Sequence, residues 1–265
     1  MYQFNYHRAK SVAEAASLLG KSGEAKLLAG GHTLLPTMKQ RLASPSDIVD
    51  LGGIADLKGI TVSGNSVAIG AMTTHAAVAT SADVAKAIPA LATLAGNIGD
   101  PHVRNRGTIG GSIANNDPAA DYPAACLGLG ATIVTSKREI AADDFFTGMF
   151  STALEDDEVI TKIVFPVPKR AGYAKFANPA SRYAIVGVMA AETAGGVRVA
   201  VTGAGQDGVF RSKELESALG SSFSAASAAG VKIPSSGLNS DIHASADYRA
   251  HLISVMAKRA VAAAG

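Results

Sequence analysis

The sequence predicts an α+β fold laid out in three successive segments, residues 1–57, 58–168 and 169–265. Three observations carry this. Apolar residues recur at helical spacing in some stretches and in short β-type runs in others, and neither period dominates. Pro166 and Pro168 interrupt the pattern and mark a boundary. After Gly172 the pattern becomes strand–strand–helix and ends in one long helix. The chain has 265 residues, 48% hydrophobic and 17% charged. That is enough apolar material for a sizeable core, and it excludes disorder and collagen-like structure.

The elements follow in order. Ser11–Leu19 has helical spacing, with Ser11 as N-cap and Glu14 three residues on, and Gly20 and Gly23 end it. Lys26–Ala29 reads as a short buried strand running into Gly30-Gly31, and the residues from His32 to Lys39 can begin a helix. Ser46–Leu51 reads as another strand, so the first segment predicts a small βαβ-like unit. Gly59–Ala71 predicts a hairpin turning at Gly64-Asn65. A helix starts at Thr73-Thr74-His75 and runs through Ser81, and a second covers Ile88–Ala95. Thr108–Ala114 is glycine-rich. Pro123–Leu129 reads as a helix and Ala131–Thr135 as a strand, and Asp143–Phe146 and Val159–Phe165 continue the alternation. In the last segment, Ile185–Glu192 and Val197–Thr202 read as strands joined at Gly195-Gly196. Ser212–Leu219 reads as a helix, Ser221–Gly230 has no evident structure, and Ser245–Ala263 is the clearest helix of all.

Several function classes drop out. The formal charge of +2 is spread without a basic block, which argues against nucleic-acid binding. Cys126 is the single cysteine, so the chain alone makes no disulfide and no cysteine-ligated zinc or iron–sulfur site. The N-terminus lacks a secretory signal, and no apolar run approaches the about 20 residues of a membrane span. A cytoplasmic location is expected, and peripheral association with the inner face of the membrane is compatible with it. The six histidines form no metal-ligand pattern, and G-x-S-x-G is absent.

Two glycine loops carry the chemistry. The first is Ala29-Gly30-Gly31-His32-Thr33-Leu34, where an apolar strand feeds two glycines. Glycine lets the backbone approach an oxyanion and adopt positive φ, and the exposed amides of such a turn point at the anion. The second is Thr108-Ile109-Gly110-Gly111-Ser112, preceded by Arg104 and Arg106. One such loop alone is better read as a tight turn, but two together suit a pyrophosphate gripped from two sides, with Thr and Ser hydroxyls as further donors.

These motifs resemble the two FAD-binding signatures of the flavoprotein (medium) subunits of molybdenum hydroxylases, in particular those of the carbon monoxide dehydrogenase type, with the xanthine dehydrogenase family as wider relatives. Pro179–Val188, which contains Ser181-Arg182-Tyr183, is similar to a third signature, and Asp241–Arg249 resembles the start of the family's last helix. The motifs keep the family's order over nearly the whole chain.

The resemblance implies an α+β architecture: a two-subdomain FAD-binding domain of the vanillyl-alcohol-oxidase (PCMH) type, then a small α+β C-terminal domain. It implies that residues 29–34 and 108–112 contact the FAD pyrophosphate and its surroundings. It places Asp121 at the adenosine ribose, Ile160 at an apolar position by the adenine or flavin, and Tyr183 beside the isoalloxazine. One departure is visible. Relatives of the xanthine dehydrogenase kind carry a lysine where this chain has Ala177, and here the lysine is Lys175, so no flavin-contacting lysine is expected.

The function implied is that of an electron-transfer oxidoreductase subunit with the flavin as redox centre. Electrons would arrive from [2Fe–2S] clusters of a small subunit, after oxidation at a molybdopterin-type molybdenum cofactor in a large subunit, and leave for an external acceptor. The assembly implied is a dimer of heterotrimers. Two other readings stand beside it. One is a self-sufficient FAD-dependent oxidoreductase or free-standing FAD-binding module. The other is a nicotinamide site on Gly203-Ala204-Gly205-Gln206-Asp207-Gly208, which fits G-x-G-x-x-G. No strand ending in an acidic residue follows at the distance a dinucleotide fold needs, so a turn is the better reading there.

Overall fold

The computed structural model describes residues 1–264. The first segment is a parallel βαβαβ unit: β1 (Asn5–Arg8), α1 (Val12–Leu19), β2 (Lys26–Leu28), α2 (Leu34–Lys39) and β3 (Asp47–Asp50), with strand order β1-β3-β2. Ser11 caps α1 by accepting the Glu14 amide at 3.1 Å, as the sequence predicts. The helix buries Ala15 and Leu19 in a cluster with Val49 and Leu51. The sequence reading lacks β1. Its four residues are polar and mostly exposed, and the strand is held by partners far along the chain. His7 Nε2 lies 2.8 Å from Asp47, and the Tyr6 hydroxyl donates to Asp50 at 2.6 Å.

The second segment opens with the hairpin β4 (Ile60–Ser63) and β5 (Ser66–Gly70), whose turn holds Gly64 at φ +56°. Six helices follow: α3 (His75–Thr80), α4 (Ala82–Ala87), α5 (Pro89–Gly96), α6 (Pro101–Arg106), α7 (Ile109–Asn115) and α8 (Tyr122–Leu129). Then come β6 (Thr132–Thr135), β7 (Glu139–Ala141), α9 (Ala142–Phe145), a small hairpin of β8 (Phe146–Gly148) and β9 (Ser151–Thr152), and β10 (Ile160–Pro166). The antiparallel sheet runs β4-β5-β10-β6-β7. The stretch read as merely glycine-rich is α7, capped by Thr108, whose hydroxyl accepts the Gly111 amide. Ile109 and Ile113, one turn apart, anchor it in the core. The whole of α8 is buried, Cys126 included, and burial pushes that thiol upward, so it behaves as a small core residue.

The third segment is an antiparallel meander of β11 (Arg170–Ala177), β12 (Ala184–Thr193), β13 (Gly196–Thr202) and β14 (Phe210–Arg211). It is covered by α10 (Lys213–Ser221), α11 (Ala225–Ala229) and the long α12 (Ala246–Ala262), which buries Leu252, Ile253, Met256 and Ala260. The G-x-G-x-x-G stretch joins the antiparallel strands β13 and β14, and Gly205 bridges Leu238. A strand-to-strand turn has no helix start for a pyrophosphate, so the turn reading holds.

This sheet clamps the segment between α7 and α8. The Thr202 hydroxyl donates to the Ala120 carbonyl at 2.6 Å, the Gly203 amide to Pro118 at 2.8 Å and the Ala184 amide to Ala119 at 3.3 Å. Those bonds bring residues 181–183, at the head of β12, to the same face as the glycine loops.

Candidate functional site

A cavity of about 920 Å³ runs between the glycine loops and the head of β12. That volume is near the upper end for ligand sites and far exceeds what one phosphate needs. Ala29, Gly30, Gly31, His32, Thr33, Leu34, Thr108, Gly110, Gly111, Ser112, Asp121, Ile160 and Tyr183 all line it. Ile109 does not. Its side chain is fully buried in the core and its amide donates to the Thr73 carbonyl at 3.1 Å, so it is a packing residue.

The two loops do different work. The amides of Gly30, Gly31, His32, Thr33 and Leu34 donate to no acceptor among the described residues. They are five successive donors beside a cavity, a nest suited to an anion. Gly31, at φ +79°, makes the bend, and only there in the two loops is φ positive. In the second loop the amides from Ile109 to Ser112 are taken. Gly110 donates to the Ala71 carbonyl at 2.9 Å, Gly111 to the Thr108 hydroxyl at 3.2 Å and Ser112 to the Thr108 carbonyl at 3.0 Å. The Ser112 hydroxyl makes no hydrogen bond among the described residues and is free to donate into the cavity.

The glycines of the second loop answer to the protein's own packing. A Cβ on Gly110 would lie 2.6 Å from the Ala71 Cβ and 2.7 Å from its carbonyl oxygen. A Cβ on Gly30 would run into the Arg106 carbonyl, with the Gly107 Cα at 2.8 Å, and one on Gly111 would press Ala29 at 3.3 Å. The loops therefore interlock backbone to backbone. Gly30, Gly110 and Gly111 are thus needed for loop-to-loop and loop-to-sheet contact, in addition to lining the cavity.

Asp121 is buried at the cavity wall, but its carboxylate already has partners. Tyr173 donates to it, and the Lys175 ammonium lies 3.0 Å away while also donating to the Asn97 carbonyl at 2.7 Å. This network ties β11 to the N-cap of α8. Lys175, passed over by the sequence reading as a flavin contact, is the counter-ion of Asp121.

Three further wall residues escaped the sequence reading. Asp117 accepts the Ala119 amide at 2.9 Å and has no cationic partner among the described residues; burial pushes its carboxyl up. His75 is 5% exposed at the head of α3, against Gly107 and the tilted Tyr122 ring, 5.3 Å between centroids. Burial, then the nearby His32 and Arg104, hold its imidazole down at about 4, so it is neutral. Phe150 stands at the tip of the β8–β9 hairpin. Only the helix start at Thr74-His75 was a local signal for any of these.

Tyr183 is half-exposed on the cavity rim and is not part of the apolar core. Burial, then the charges of Asp117 and Asp121, raise its phenol above the usual value, so it stays protonated and able to donate.

Residues 2–168 match the family described as the FAD binding domain in molybdopterin dehydrogenase. The chain is 38% identical to the nicotine 6-hydroxylase medium subunit of Paenarthrobacter nicotinovorans over 276 residues, 98% of this chain and 96% of that one. It is also 38% identical to the carbon monoxide dehydrogenase medium chain of Hydrogenophaga pseudoflava over 278 residues, 99% of this chain and 97% of that one. In three dimensions it matches a chain of quinoline 2-oxidoreductase from Pseudomonas putida 86 with a TM-score of 0.89 at 31% identity, covering 98% of this chain and 96% of that one.

Proposed function

Because the chain belongs to the family of FAD-binding domains of molybdopterin dehydrogenases, as a medium subunit of the molybdenum hydroxylase kind, we propose that it is an electron-transfer subunit. It carries electrons from [2Fe–2S] clusters of a small subunit to an external acceptor. Substrate oxidation takes place at a molybdopterin-type cofactor in a large subunit, and the whole is a cytoplasmic dimer of heterotrimers. Among the described residues no helix is long and apolar enough to cross a membrane. FAD, when bound, supplies the redox chemistry; the residues of this chain bind and orient it.

The observation that carries the reading is the nest of five acceptor-free amides at Gly30–Leu34 beside a cavity of dinucleotide size. In this reading those amides, with the Ser112 and Thr108 hydroxyls, hold the pyrophosphate, and Ala29, Gly110 and Gly111 form the floor. Ile160 supplies an apolar wall, Asp121 shapes the adenosine side from its ion pair, and Tyr183 lies beside the isoalloxazine. Residues 1–57 and 58–168 act as the two subdomains around FAD, and 169–265 as the C-terminal domain that reaches back over it.

The test is the cofactor itself. Protein purified from its native host should be yellow and release FAD on denaturation, identified by mass spectrometry. Release of FMN, or of no flavin, refutes the reading. Co-purification of a large molybdopterin-binding chain and a small chain with two cysteine clusters tests the assembly.

A further inference from the structure

Among the described residues, four non-glycine residues have positive φ: Arg41, Asn116, Phe150 and Arg182. Three of them surround the cavity mouth. Arg182 and Phe150 line it, and Asn116 lies between the lining residues Asn115 and Asp117. Left-handed backbone is unfavourable for a side chain as bulky as Phe, and such outliers persist where the surroundings over-determine them.

The surroundings of Phe150 do so. Its own amide donates to the Asn116 carbonyl at 3.1 Å. The buried Asn116 side chain donates to the carbonyls of Gly148 and Ser151, both at 2.8 Å, one on each side of the hairpin tip. Gly148, at φ +156°, allows the turn. A buried asparagine and three hydrogen bonds thus hold one aromatic residue in a strained conformation.

The apolar core gains nothing from the Phe150 side chain. Phe150 is 58% exposed and belongs to none of the apolar clusters, whereas Phe145 and Phe146, earlier in the same stretch, pack in or against the core. Phe150 and Tyr183 are the two Phe or Tyr side chains on the cavity wall. Both are fixed to the same stretch, Phe150 through Asn116 and Tyr183 through the Ala184–Ala119 hydrogen bond. Met149, next door and 55% exposed, does not line the cavity. A large aromatic side chain held open to a cavity is complementary to a flat, conjugated ligand surface.

Resting on the reading that this cavity holds FAD, we propose that Phe150 is a second aromatic wall at the flavin end of the site. With Tyr183 it contacts the isoalloxazine and limits solvent access to it.

The experiment uses the FAD-loaded protein and reads the flavin's fluorescence and its quenching by iodide, neither of which needs turnover. Phe150→Ala should keep the flavin content and gain severalfold in flavin fluorescence, because a quenching ring is lost. Its iodide quenching constant should rise in parallel. Phe150→Trp should restore shielding, and Met149→Ala should match the wild type. Four results overturn the proposal: a Phe150→Ala protein with unchanged fluorescence and iodide access, the same change in Met149→Ala, loss of subunit association with an undisturbed flavin signal, or loss of flavin from Phe150→Ala. A wild-type protein without FAD refutes instead the reading on which the proposal rests.

Discussion

Lowering the pH should unfold this protein partly through one histidine. His75 has an unfolded value of 6.5 and is held at about 4 in the fold, mainly by burial. The folded state therefore binds fewer protons than the unfolded chain between those two values. Its contribution is complete above pH 6.5 and is lost as the pH falls toward 4. The drop from 6.5 to about 4 corresponds to about 3 kcal/mol in all, of which about 2 kcal/mol is lost by pH 5. For a chain of this size that is a fall in Tm of about 4–8 °C. The perturbation is His75→Gln, which cannot charge. Thermal unfolding of apoprotein, wild type and variant, at pH 7.5 and pH 5 gives the difference. The variant should start lower, having lost contact with Gly107 and the Tyr122 ring, and should lose less on acidification. A wild-type-minus-variant gap that stays constant across that range refutes the reasoning, because the histidine then titrates alike in both states.

Other outcomes follow from the same structure. Asp121→Asn leaves the Lys175 ammonium buried without its counter-ion and should cost about 3–5 kcal/mol in urea unfolding; Asp121→Asn with Lys175→Met should recover much of it, and a single-variant cost under about 1 kcal/mol would mean that the pair acts as a surface one. Gly110→Val should reduce soluble, folded protein, since its Cβ meets Ala71; a stable apoprotein that lacks only flavin would return this glycine to the ligand. Tyr183→Phe should keep flavin content and alter the flavin absorption band, with Tyr183→Ala altering it more; superimposable spectra would take the ring away from the isoalloxazine.

Much of the fold was legible because its signals are local. Ser11 with Glu14 announces α1, Gly64-Asn65 announces the β4–β5 hairpin, and the periodicity of Ser245–Ala263 announces α12. What was hidden depends on distant partners. The polar β1 exists because of Asp47 and Asp50, with His7 and Asp47 40 residues apart. Helix α7 was masked by Gly110 and Gly111, poor helix formers that the structure requires against Ala71 and Ala29. The site divides in the same way. The first loop and Tyr183 stand out as contiguous motifs, whereas His75, Asp117 and Phe150 reach one cavity only through tertiary contacts. The sequence also could not tell which loop keeps its amides free, since that is set by Ala71, Thr73 and Thr108 accepting those of the second.

The fit of Gly30 into the Arg106–Gly107 turn bears on how such chains can be recombined. The two loops are more than 70 positions apart, so a crossover anywhere between them would take one loop from each parent. At this junction neither backbone has slack for the other's misfit: a side chain at position 30, or a displaced turn at 106–107, collides with main-chain atoms that no rotamer change relieves. Chimeras of related medium subunits should therefore tolerate crossovers outside residues 29–112 better than inside them. A library screened for soluble protein would show that interval inherited as a block.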